Sequence, residues 1–105
     1  MAIVVELTDS NFSETIKEGV ALVDFWAPWC APCMMQGPIV ERVAEKVGDK
    51  AKVAKVNVDE AQRAAMELGI RAIPTVFVFK DGKPVGQFVG VTPEDKLISA
   101  IDKAQ

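Results

Sequence analysis

The chain has 105 residues, half of them hydrophobic and 26% charged; this composition fits one domain over residues 1–105 and excludes a disordered chain. Seven glycines and six prolines without a period exclude a collagen-like or low-complexity class. Twelve basic against fifteen acidic residues give a net charge of −3 with no basic cluster, which disfavours nucleic acid as a partner, and no apolar run is long enough to cross a bilayer.

Residues 1–6 have neither a basic segment nor a long apolar one, so no secretion signal is read and a cytoplasmic protein is expected. Nothing in the sequence demands more than a monomer. Histidine is absent, which excludes Ser-His-Asp triads, Cys-His pairs and HExxH metal sites. The two cysteines, Cys30 and Cys33, are too few to close a zinc site within one chain. No metal and no bound cofactor are expected.

Residues 3–7 form a short strand candidate, and 8–18 read as a helix with Phe12 and Ile16 on one face and Gly19 as its stop. Residues 20–26 are almost continuously apolar, as in a central strand covered on both faces; Asp24 is the single interruption. Residues 30–47 carry a helical stripe of Ile39, Val40, Val43, Ala44 and Val47, closed by Gly48, with Pro38 removing one backbone bond inside it. Residues 51–58 are β-rich, and 60–68 are helical with Gly69 as the cap. Residues 74–80 are the strongest strand; Asp81-Gly82 is a hairpin turn, and 84–91 returns as a strand that Pro84 places at an edge. Thr92 as N-cap and Pro93 at the first position open a last helix over 93–103.

The order β-α-β-α-β-α-β-β-α predicts parallel crossovers followed by an antiparallel hairpin, in an α/β fold with helices on both faces of a mixed sheet. Reactive groups in such sheets collect where strands end and helices begin. Cys30-Ala31-Pro32-Cys33 falls at such a junction. Unsatisfied N–H groups and the partial positive charge of a helix start stabilise a thiolate at Cys30. Pro32 fits a first turn, where its missing N–H costs nothing. Two intervening residues let the sulfurs meet across that turn, so a disulfide opens and closes with little backbone motion. The alternative is a structural disulfide or a pair of inert thiols. So short a loop stabilises by only about 2 kcal/mol in the chain-entropy view, which makes it a poor staple.

The run from Val23 to Cys33, VDFWAPWCAPC, resembles the active-site segment of the thioredoxin family. The similarity continues through Pro38, residues 55–59, 71–75 and 79–82, and Val89-Gly90. The resemblance implies a thioredoxin fold, a five-stranded mixed β-sheet flanked by four α-helices, and a protein disulfide reductase. It implies Cys30 as the exposed nucleophile and Cys33, more buried, as the resolving thiol. Electrons would arrive through a thioredoxin reductase that holds flavin and draws on NADPH, and would leave to varied disulfide-containing target proteins.

The resemblance also assigns supporting roles. Asp24 would be the buried proton acceptor and donor for Cys33, burial raising its pKa; the alternative is a solvent-facing residue at a sheet edge. Lys55 would stand near that acid, or be an ordinary strand lysine. Trp29, Ala31, Pro32, Ile73, Pro74, Gly90 and Val91 would form the target-binding surface, with Pro74 cis and the Ile73 backbone pairing with an extended peptide. Trp26 would pack against the active-site helix. Two departures stand out. Ala31 replaces the family's usual glycine, and Met34 stands where a lysine is frequent, which takes a positive charge away from Cys30. A redox-inactive scaffold, a metal shared by two chains and an oxidase are the competing readings.

Overall fold

In the computed structural model, residues 4–105 are described. The apolar run becomes β2 (Val20–Trp26), the middle strand of a sheet that also holds β1 (Val5–Leu7), β3 (Lys52–Asn57), β4 (Thr75–Lys80) and β5 (Lys83–Val89). Their order is β1-β3-β2-β4-β5. β3 runs parallel to both β1 and β2, whereas β4 is antiparallel to β2 and to β5. The expected five-stranded mixed sheet is therefore present, with β5 at an edge as Pro84 required. Ile3, placed in the first strand by the sequence, lies outside the described residues.

Four α-helices cover the sheet: α1 (Phe12–Ile16), α2 (Ala31–Val47), α3 (Gln62–Glu67) and α4 (Glu94–Ala104). Side chains alternate across each strand, so each face builds its own core. Val23 and Phe25 of β2 face α1 and α3 and pack with Phe12, Ile16, Ala64, Phe77 and Phe79. Phe25 meets Phe12 and Phe77 edge to face, at ring-centroid distances of 6.1 and 5.9 Å. Leu22 faces α2 and α4 and packs with Val40, Val43, Val47, Val76, Leu97 and Ile101.

Three local expectations are corrected. Helix α1 starts at Phe12 rather than residue 8, because Asn11 Oδ1 takes the Thr8 N–H at 2.7 Å and folds residues 8–11 into a turn. Helix α3 spans six residues, and Leu68 holds the cap expected of Gly69, which follows at φ 66°. At α4 the cap residue is Pro93, not Thr92. The Thr92 hydroxyl donates instead to the Gly90 carbonyl at 3.0 Å and its N–H to Gln36 Oε1 at 2.7 Å, which hold Thr92 in the loop before the helix.

Candidate functional site

Strand β2 delivers the chain through residues 27–30 into α2, and the Cys30 N–H donates to the Ala27 carbonyl at 3.1 Å. Cys30 is the N-cap of α2, with extended backbone, and its Sγ accepts the Cys33 N–H at 3.3 Å. That is the bond a serine or aspartate oxygen makes at a helix start. A sulfur held there faces the positive end of a 17-residue helix, which favours its anionic form. Ala31 and Pro32 fill the first turn, and both are exposed. Cys30 and Cys33 are joined by a disulfide with Cα atoms 5.3 Å apart. An open Cys30 beside a buried Cys33 is not what this oxidised form presents. Both are buried, at 5% and 2% exposure, because Ala27, Trp26, Val58 and Ile73 pack around the pair.

The loop before β4 closes over the disulfide. The Ile73-Pro74 peptide is cis, and the Ile73 carbonyl oxygen lies 3.7 Å from Cys30 Sγ. Pro74 is buried and Ile73 half-buried. The Pro74 carbonyl accepts the Gly90 N–H at 2.8 Å. Gly90 has φ 88°, a backbone conformation that other residues avoid, which is what brings this loop against Pro74. Val91 follows as an exposed apolar side chain. On the other side of the pair Trp29 is 70% exposed, and its Nε1–H donates to Asp59 Oδ2 at 2.8 Å. Met34 and Met35 on α2 are exposed as well, so the rim of the site is largely apolar.

Asp24 sits on the sheet face that carries Leu22 and is covered by α2, and it is 2% exposed. Its Oδ1 is the one buried side-chain polar atom, among the described residues, without a hydrogen-bond partner. Burial pushes its carboxyl up from 3.8 to about 7; the Lys55 ammonium pulls against that, and the Glu6 carboxylate adds to it. Lys55 is Asp24's register partner on β3, and Glu6 is Lys55's on β1. Lys55 Nζ lies 4.0 Å from Glu6 Oε1 and 5.3 Å from the centroid of the Trp26 ring. Glu6 Oε2 also accepts the Trp26 Nε1–H at 3.3 Å and the Asn57 N–H at 3.0 Å.

The predicted residues thus fall into two groups: Cys30, Cys33, Trp29, Ala31, Pro32, Ile73, Pro74, Gly90 and Val91 at the disulfide and its rim, and Asp24 with Lys55 as register partners on β2 and β3. Glu6, Asp59 and Gln36 were not singled out from the sequence. Gln36 carried a usable signal, as a polar residue on an apolar helical stripe three positions after Cys33. Glu6 and Asp59 carried none, since an exposed carboxylate in a short strand or in the turn after one is ordinary. No group of three or more His, Cys, Asp or Glu side chains suited to a metal ion occurs among the described residues.

The crystal structure of a thioredoxin from Malassezia sympodialis superposes with a TM-score of 0.88 at 38% identity, covering 99% of this chain and 92% of that one. A redox-active cysteine pair capping a helix in this fold defines a thiol–disulfide oxidoreductase. The thioredoxin family model matches residues 3–103. Thioredoxin of Staphylococcus haemolyticus is 47% identical over 100 residues, 95% of this chain and 96% of its own. Thioredoxin of Bacillus subtilis is 45% identical with the same coverage. The chain belongs to the thioredoxin family.

Proposed function

We propose that this chain works as a single-domain, monomeric cytoplasmic protein disulfide reductase, with Cys30 as nucleophile and Cys33 as resolving thiol. The observation that carries the reading is the Cys30 sulfur at the α2 N-cap, accepting the Cys33 N–H at 3.3 Å. In the reduced protein the Cys30 thiolate attacks one sulfur of a target disulfide. A mixed disulfide forms, and the second target sulfur leaves as a thiolate. Cys33 then loses its proton to the Asp24 carboxylate and attacks Cys30 Sγ. The Cys30–Cys33 disulfide forms, the first target sulfur is released, and two electrons have passed to the target. An acid with a pKa of about 7 is matched to that proton transfer.

Lys55 holds the charge opposite Asp24 within the Glu6–Lys55–Asp24 row. Trp29, Ala31, Pro32, Ile73, Pro74, Gly90 and Val91 bind the target peptide, its backbone pairing with Ile73 as an added strand. Recycling falls to a thioredoxin reductase, which supplies flavin and NADPH.

The test follows NADPH consumption with a thioredoxin reductase and insulin as the disulfide substrate. The unsubstituted protein is expected to turn over, Cys30→Ser to be inactive and Cys33→Ser to accumulate a mixed disulfide. Turnover by Cys30→Ser at the unsubstituted rate would overturn the assignment of roles.

A further inference from the structure

The buried stripe of α2 runs Cys33, Gln36, Val40, Val43, Ala44 and Val47, and Gln36 is its one carboxamide. Gln36 is 0% exposed. A buried amide is tolerated only when its polar atoms are paired, and an aliphatic side chain would avoid that demand. Here both ends are paired with a single residue. Gln36 Oε1 accepts the Thr92 N–H at 2.7 Å, and Gln36 Nε2 donates to the Thr92 carbonyl at 3.0 Å. Thr92 in turn donates its hydroxyl to the Gly90 carbonyl at 3.0 Å, and the Gly90 N–H reaches the Pro74 carbonyl at 2.8 Å. The Ile73 carbonyl beside Pro74 lies 3.7 Å from Cys30 Sγ. A chain of hydrogen bonds therefore runs from α2, one turn beyond Cys33, through Thr92 and Gly90 to Pro74, whose neighbour Ile73 lies against the disulfide. Gln36 is the only side chain that ties the loop of Gly90 and Val91 to the helix carrying the cysteines by hydrogen bonds among the described residues.

We propose that Gln36 is a positioning residue for target recognition: its two bonds to Thr92 fix the Gly90-Val91 loop at the distance from Cys30 that an extended disulfide-bearing polypeptide requires. The inference rests on the disulfide-reductase reading above. A small aromatic disulfide reaches Cys30 without spanning both loops, so it makes no such demand. Protein targets and small disulfides are therefore the two arms of the test.

The experiment compares the unsubstituted protein with Gln36→Met, which keeps length and volume and loses both bonds. Insulin reduction with thioredoxin reductase and NADPH is expected to show KM raised about tenfold at nearly constant kcat, the scale of one lost positioning interaction. Reaction of the reduced protein with 5,5′-dithiobis(2-nitrobenzoate) is expected to slow by no more than about twofold, because the cysteine turn keeps its own N-cap bond. Equal losses on both substrates, or none on insulin, would overturn the Gln36 assignment while leaving the reductase reading in place. No insulin reduction by the unsubstituted protein would overturn that reading and this inference together. A second measurement needs no variant. In the unsubstituted protein the Thr92 amide proton is expected to exchange with solvent as slowly as those of β4, and fast exchange there would contradict the clamp even if Gln36→Met failed to fold.

Discussion

Asp24 shows how one side chain is given two properties by one environment. An apolar strand and a covering helix remove its carboxyl from water, which leaves Oδ1 without a partner and lifts the pKa from 3.8 to about 7. Between those values the folded protein holds the proton and the unfolded chain has lost it. The native state therefore binds more protons than the unfolded state, and stability falls as pH rises through that window. Asp24→Asn removes the ionisation. Urea unfolding of the oxidised variant is expected to show a gain over the unsubstituted protein on the order of 3 kcal/mol at pH 8, shrinking toward zero by about pH 4. The same difference at both pH values would refute a buried ionisation. The resolving step, in which Cys33 loses its proton, is expected to slow in this variant more than the initial attack by Cys30. The acid was legible in the sequence because a lone aspartate interrupts an apolar run. Lys55 beside it came from the resemblance alone and Glu6 was not found, because Glu6, Lys55 and Asp24 meet through strand register, which no local pattern encodes.

Secondary elements were legible where the information is local. Strand β2 followed from continuous apolarity, and the β4–β5 hairpin from Asp81-Gly82, both of which adopt positive φ, at 50° and 85°. Helix α3 was overextended because its start is set from elsewhere: Asp9 accepts the Arg63 and Ala64 N–H groups at 3.3 and 2.9 Å from more than fifty positions away. Thr92 is held in the loop before α4 by contacts a local pattern does not show: its N–H and carbonyl pair with Gln36 on another helix, and its hydroxyl turns back to Gly90. Contacts between α2 and α4 are also non-local. Glu94, at the start of α4, accepts from Arg42 Nε at 3.0 Å and from Lys46 Nζ, and these two cations hold its carboxyl below the usual carboxylate range. A depressed carboxylate pKa contributes stability above the unfolded value and loses it as pH falls through the folded one. Glu94→Gln is expected to lower the melting temperature at neutral pH and low salt. The loss is expected to shrink at high salt and in acid, since the pair is near the surface. A loss independent of both would point to packing instead.

At the scale of the whole molecule, two cores on opposite faces of one sheet hold the end of β2 against the start of α2. Phe25 is fully buried at the centre of the α1–α3 face. Phe25→Ala is expected to cost about 3–5 kcal/mol in urea unfolding, and a cost below about 1 kcal/mol would show that this core does not carry the fold. The strand-to-helix junction was the most legible feature of the sequence, because a CxxC pair in a histidine-free chain leaves few other chemistries. The burial of both sulfurs was not: Ile73 was placed at the site by resemblance only, and Val58 reaches the pair from a distant segment that no local pattern marks. What the fold supplies at that junction is a helix start that lowers the cost of negative charge on Cys30. The most direct test is alkylation of the fully reduced protein by iodoacetamide as a function of pH, with the modified residue mapped by peptide mass. Modification is expected at Cys30 ahead of Cys33, with a midpoint below the ordinary thiol value of about 8.5. A Cys30 that stays unmodified, or that reacts with a midpoint at or above that value, would contradict the account.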